Sequence, residues 1–100
     1  MNKKKLLIFI VAYNAEKHLG DTLGRIPAAL WESREYDTEI LVIDDASKDN
    51  TVAVAKAYAE AHNRSVTVMS NPVNQGYGGN QKIGYLYAIK QQCDVVALLH

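Results

Sequence analysis

The chain has 100 residues, 48% hydrophobic and 22% charged, with a formal net charge of zero and one cysteine. That is room for one small domain with a modest core, and the neutral balance argues against a nucleic-acid partner. Cys93 has no second thiol for an internal disulfide, which fits a reducing, cytosolic setting, and the apolar stretch 6–12 falls well short of the roughly 20 residues of a membrane span.

The basic run Lys3-Lys4-Lys5 reads as a solvated lead-in to a first strand over Leu6–Ala12, a continuous run of β formers. Leu19, Leu23, Ile26 and Leu30 then share one helical stripe, with Asn14 as its N-cap. Pro27 should break that helix near Ile26 and open a short second one from its first position. A second strand is expected over Glu39–Ile43, stopped by Asp44-Asp45. The next helix spans about Asn50–His62, with Val52, Ala55, Tyr58 and Ala59 facing inward. A third strand over Ser65–Met69 precedes a helix from about Gly79 to Gln91, with Ile83, Leu86, Tyr87 and Ile89 as core candidates. Asp94–Leu99 is the fourth strand.

Strands apolar on both sides are covered on both faces and form a parallel sheet. The alternation therefore predicts an α/β fold, a Rossmann-like open parallel sheet with helices on both faces. Ligands of such sheets sit beyond the carboxyl ends of the strands, at 12–16, 44–51 and 70–79 here. The sequence stops where its fourth strand ends, so 1–100 is expected to be a domain truncated at its ligand edge.

Three segments carry candidate chemistry. In Ile43-Asp44-Asp45-Ala46-Ser47-Lys48-Asp49-Asn50-Thr51, paired carboxylates end a buried strand and a capping run opens a helix. Side chains alternate along a strand, so one carboxylate faces a ligand, such as the N–H groups of a nucleobase, while the other ties down the loop. A purely structural capping role is the alternative. A calcium loop does not fit, because Asn50 stands at its glycine position and Lys56 at its bidentate Glu position. A receiver domain would carry its acid pair after the first strand and a further Asp after the third, where Met69-Ser70-Asn71 offers none. After strand one, Tyr13 presents a flat face on which a base or ribose could pack. Before the last helix, Asn74-Gln75-Gly76-Tyr77-Gly78-Gly79 permits close backbone approach, and the helix start attracts anionic phosphate. A glycine turn without a ligand and an ordinary buried tyrosine are the plainer readings of these two.

Taken in order, Tyr13-Asn14-x-Glu16, Asp44-Asp45-x-Ser47-x-Asp49-x-Thr51 and Asn74-x-Gly76-x-Gly78-Gly79 resemble the family 2 glycosyltransferases over essentially the whole chain, nearest to the dolichyl- and polyprenyl-phosphate sugar transferases. The resemblance implies a GT-A fold and a nucleoside-diphosphate sugar donor. It implies that Val11 and Tyr13 border the nucleoside, that Ile43 flanks the base, and that Asp45 is the principal carboxylate with Asp44 as its structural neighbour. Gly76 completes the nucleotide-binding set. The family often has Pro where Val11 stands and Glu where Ala15 stands, so a ribose contact passes to Glu16 or is lost. It also implies transfer to a saccharide hydroxyl or lipid-phosphate acceptor, an inverting reaction of the kind used for cell-envelope polysaccharide. The family's Asp-x-Asp motif, which holds Mg²⁺ or Mn²⁺, would follow strand four. No catalytic base or metal ligand is therefore assigned within these residues, and the piece alone is expected to be inactive. His18 and His62 are read as surface residues and His100 as positional. Membrane association would come through missing regions. The alternative is a non-catalytic nucleotide-binding or protein-interaction domain.

Overall fold

Leu6 to Ile10 and Ile40 to Ile43 are buried with scarcely a break, which is what β formers apolar on both sides require: two central strands, each covered above and below. The computed structural model describes residues 3–99, so His100 lies outside the described residues. In chain order the elements are β1 (Lys4–Ala12), α1 (Leu19–Gly24), α2 (Ala28–Trp31), β2 (Tyr36–Asp44), α3 (Thr51–His62), β3 (Val66–Ser70), α4 (Gly76–Lys90) and β4 (Val95–Leu99). The strands form one sheet in the order β3-β2-β1-β4, parallel at each pairing.

The two faces of that sheet have separate cores. Leu6, Ile8, Ile10, Ile40 and Val42 pack with Leu19, Leu23, Ile26 and Ala55, under α1 and α3. Leu7, Phe9, Leu41 and Ile43 pack with Ala88, under α4. The chain moves from β1 to β2 to β3 in one direction, then α4 carries it back across β2 and β1 to β4. A crossover of constant hand that reverses direction must lay its helix on the opposite face. The order therefore reverses at β1, and the crevice between the carboxyl ends of β1 and β4 is the switch point of the sheet.

Several local expectations are corrected. Asn14 does not cap α1: it takes a left-handed φ of 47°, and α1 begins later, at Leu19 after His18. Pro27 stands just before α2 rather than at its first position, with an extended ψ of 134°. Helix α4 begins at Gly76, three residues ahead of Gly79. Leu86 and Ile89 are not core residues, being 60% and 73% exposed. Ile83 and Tyr87 do pack, partly buried, against the core, but the fully inward face of α4 is Asn80, Gly84 and Ala88, a stripe at i, i+4 and i+8. The reason is steric: a Cβ on Gly84 would lie 2.5 Å from Phe9 Cε2, so only small side chains let the helix reach the aromatic ring. His18 and His62 are exposed as expected, with His62 stacked on Tyr58 at 4.2 Å.

Candidate functional site

The strands deliver their last residues to one rim. The Asp45 N–H donates to the Ala12 carbonyl at 2.9 Å, and the Asn71 N–H donates to the Asp44 carbonyl at 2.8 Å. The ends of β1, β2 and β3 are thereby held side by side, with Tyr13 next in the chain after Ala12.

Strand alternation separates the two aspartates. Asp44 follows Ile40 and Val42 onto the α3 face, where its Oδ2 accepts the Ser47 N–H at 3.3 Å. Its Oδ1 is buried without a partner among the described residues. Asp45 follows Leu41 and Ile43 onto the α4 face. Its Oδ1 accepts the Gln75 N–H at 2.7 Å and Asn71 Nδ2 at 3.0 Å, and its Oδ2 accepts the Gly76 N–H at 3.2 Å. Asp45 thus caps α4 from another strand, placing negative charge at the positive end of a 15-residue helix. Burial pushes the Asp45 carboxyl up, but the Gln75 amide, the Asn71 and Asn80 side chains and the Gly76 amide outweigh it and hold the group below the ordinary aspartate value.

Asn80 fixes this arrangement from beneath. It is fully buried; its Oδ1 accepts Asn71 Nδ2 at 2.7 Å and its Nδ2 donates to the Gly76 carbonyl at 2.8 Å. Gly76 takes a φ of +71°, a conformation that disfavours any side chain. Asn71 and Asn80 were not assigned a role from sequence. The available signal was Asn80 itself, a polar residue sharing the small-residue stripe of α4 with Gly84 and Ala88.

A second lattice ties the turn after β1 to the turn after β2. The Asn14 N–H donates to Ser47 Oγ at 2.8 Å, and the Lys48 N–H to Asn14 Oδ1 at 2.9 Å. The Ala15 N–H donates to Thr51 Oγ1 at 2.9 Å, and the Asn50 N–H to Glu16 Oε1 at 3.2 Å. The Asp49 carboxylate accepts both the hydroxyl and the N–H of Thr51 and also the Glu16 N–H. The Thr51 hydroxyl is the main reason the Asp49 carboxyl is held low. Ala46, between the two lattices, takes a left-handed φ of 62°.

The sequence-derived residues therefore divide. Tyr13 is 52% exposed at the rim; Val11 is half-buried beneath it, against the α4-side core. Asp45 and Gly76 are in direct contact, while Asp44 lies on the opposite face. Glu16 is exposed, with one carboxylate oxygen committed to Asn50. Ile43 does not flank a ligand with its side chain: it has no exposed surface and backs the rim from inside the core. Among the described residues no three of His, Cys, Asp and Glu are grouped to hold a metal ion; the nearby carboxylates of Asp45 and Asp49 are already taken up by N–H and O–H donors. No described helix is long and apolar enough to cross a membrane.

The sequence profile of the family described as "Glycosyl transferase family 2" matches residues 7–100. A dolichyl-phosphate beta-glucosyltransferase of Drosophila melanogaster is 33% identical over 89 residues, 84% of this chain and 27% of that protein. An undecaprenyl-phosphate mannosyltransferase of Micrococcus luteus is 35% identical over 92 residues, 92% of this chain and 35% of that protein. The chain thus spans about a quarter to a third of the length of these curated relatives. Among solved structures, a mannosyltransferase of Pyrobaculum calidifontis in complex with GDP-Man and Mn²⁺ superposes with a TM-score of 0.66 at 19% identity, over 86% of this chain and 25% of that one. S. aureus TarS 1–349 with UDP-GlcNAc superposes with a TM-score of 0.65 at 22% identity, over 94% and 25%. These two establish the fold.

Proposed function

The chain belongs to glycosyl transferase family 2, and from that premise we propose that it forms the nucleotide side of a donor site, in a protein that transfers a sugar from a nucleoside diphosphate to a hydroxyl or polyprenyl-phosphate acceptor. The observation that carries this reading is the convergence of Tyr13, Asp45 and the glycine turn on one rim, through the bonds from Asp45 to Ala12, Gln75 and Gly76. An exposed ring gives a base or ribose a surface to stack on. The glycine turn that opens α4 lets a diphosphate approach the backbone closely. The rigid lattice beneath them means little is lost to ordering when a nucleotide docks.

The reaction itself needs more than these residues provide. A general base for the acceptor and the groups that hold a divalent cation, Mg²⁺ or Mn²⁺, would come from outside 1–100. The described residues do not fit a cation, so no step is derived through one. The relatives named for polyprenyl-phosphate acceptors motivate the lipid-phosphate assignment, and association with the inner face of a membrane would follow from that acceptor.

The test is a titration of the isotope-labelled chain with UDP and with GDP, read by amide chemical shifts. Shifts confined to Ala12–Asn14, Asp45–Ser47 and Gln75–Asn80, and weakened at least tenfold in Tyr13→Ala, are expected. Shifts centred instead on the opposite rim, around Lys5, Glu39 and Cys93, would refute the assignment; sugar transfer by the isolated 100 residues would instead refute the placing of the base and the cation groups outside them.

A further inference from the structure

We propose that the groove between the edge strand β3 and helix α4 takes an extended peptide of another protein as an added strand, one reading acid-x-apolar-x-acid along the side that faces α4. This surface lies away from the donor rim and does not depend on the donor reading.

The sheet ends at β3 on one side, so one edge of that strand has no strand beside it. The Ile40 N–H donates to the Ser65 carbonyl at 2.9 Å, and the Asn71 N–H donates to the Asp44 carbonyl at 2.8 Å. Along a parallel ladder, residues that bond one neighbour alternate with residues that turn away from it. Residues 65, 67, 69 and 71 therefore bond β2, while Val66, Val68 and Ser70 turn their N–H and C=O groups outward. Such a row is a template for another strand.

The groove beside that edge supplies the side-chain contacts. It holds about 410 Å³ between Met69 of β3 and Ile83, Leu86, Tyr87 and Lys90 of α4. Lys82, Leu86 and Lys90 stand at i, i+4 and i+8, hence on one line of the helix, and both lysines are exposed. Helix α4 contains no acidic residue. Glu39, at the foot of the groove, is already engaged: its Oε2 accepts the Tyr87 hydroxyl at 2.6 Å and the Thr67 hydroxyl at 3.0 Å. The helix side of the groove thus favours an anionic partner. A second copy fits it poorly, because antiparallel pairing of β3 with β3 would put two lysine-bearing α4 helices on the same side of the joined sheet.

Spacing then specifies the occupant. Eight helical residues rise about 12 Å, and four strand residues rise about 13 Å. Alternate side chains of a strand share one face. Acids at the first and fifth positions therefore meet Lys82 and Lys90, while an apolar residue at the third meets Leu86. Main-chain bonds to Val66, Val68 and Ser70 give affinity, and this spacing gives selectivity.

The probe is a synthetic peptide with blocked ends, Thr-Glu-Thr-Leu-Thr-Glu-Thr, added to the isotope-labelled chain and read by amide shifts and hydrogen exchange. Slowed exchange at Val66, Val68 and Ser70, with shifts over Ile83–Lys90, is expected. Leu86→Asp, a change at an exposed position, should weaken binding roughly tenfold, the scale of one buried leucine. Lys82→Glu together with Lys90→Glu should weaken it several-fold, the scale of two exposed ion pairs. That double variant should instead prefer the peptide with lysine in place of each glutamate. The inference is overturned if the peptide does not bind, or if Glu-Thr-Thr-Leu-Thr-Thr-Glu, whose acids face away from its leucine, binds equally well. Shifts on α4 without protection of β3 would mark docking on the helix alone, and protection of β3 that grows with the concentration of the chain alone would mark a second copy; either result also overturns it.

Discussion

On the face that carries α1 and α3, the strand side chains meet Leu19, Leu23 and Ile26; on the face that carries α4, they meet Asn80, Gly84 and Ala88. The first face is filled by large side chains from both layers. The second has its large buried side chains, Leu7, Phe9, Leu41 and Ile43, on the strands; α4 adds the buried Ala88 and the partly buried Ile83 and Tyr87, and Gly84 gives it a close approach. That closeness has a functional consequence. It lowers the first turn of α4 onto the end of β2, where Asp45 accepts two of its N–H groups. Bulky packing would hold the helix too far off for a carboxylate from another strand to cap it.

The two faces should accordingly fail in different ways. The largest effect is expected from Leu23→Ala, which removes a fully buried side chain and leaves a cavity. Such truncations cost about 2–5 kcal/mol, a large part of what a domain this size has; urea denaturation should show a lower midpoint, with the Asp45 cap intact until global unfolding. Gly84→Ala tests the opposite limit. The added Cβ would meet three atoms of the Phe9 ring at 2.5, 2.6 and 2.7 Å. Overpacking of this kind costs about 1–3 kcal/mol, against the roughly 1 kcal/mol that alanine gains over glycine in a helix. The net loss is smaller than for Leu23→Ala. It should, however, lift α4, so hydrogen exchange at the Gly76 amide should accelerate far more than at Val42. Unchanged exchange at Gly76 would mean that the cap does not depend on the close approach.

The smallest effect is in acid. Asp45 on one face and Asp49 on the other are both held below the ordinary carboxylate value by their donors. A depressed pKa contributes stability that is complete above the unfolded value, about 3.9, and is lost as pH falls through the folded one. Unfolding midpoints should therefore be flat down to about pH 4 and fall below it. Asn71→Ala removes one donor from Asp45 and lets its folded pKa rise toward the unfolded value, so the acid loss should be smaller and complete at a higher pH, and Thr51→Val should do the same through Asp49. If neither variant changes the acid limb, the two lattices contribute nothing to acid stability.

Much of the fold was legible without coordinates. The apolar runs at Leu6–Ala12 and at Ile40–Ile43 could only be covered strands, and the alternation of strand and helix patterns implied a parallel sheet with helices on both faces. The opposed directions of Asp44 and Asp45 followed from strand period alone. Helix starts were less legible. Asn14 has the composition of a cap, but its amide and side chain are drawn to Ser47 and Lys48, residues 33 and 34 positions away, which no local rule anticipates. The inward face of α4 was misread in part, at Leu86 and Ile89 but not at Ile83 and Tyr87, for a related reason. Hydrophobicity pointed to Leu86 and Ile89, and a large ring waiting at Phe9 reversed the choice.

What the sequence determined by itself is the set of elements, their parallel arrangement and the rim at which polar residues would gather, because periodicity and strand alternation are local properties of the chain. What only the tertiary structure decided is how each polar group is used. Asp45 became a helix cap, and Asn80 a buried strut, because hydrogen-bond capacity is shared among residues distant in sequence and is settled only when the layers close.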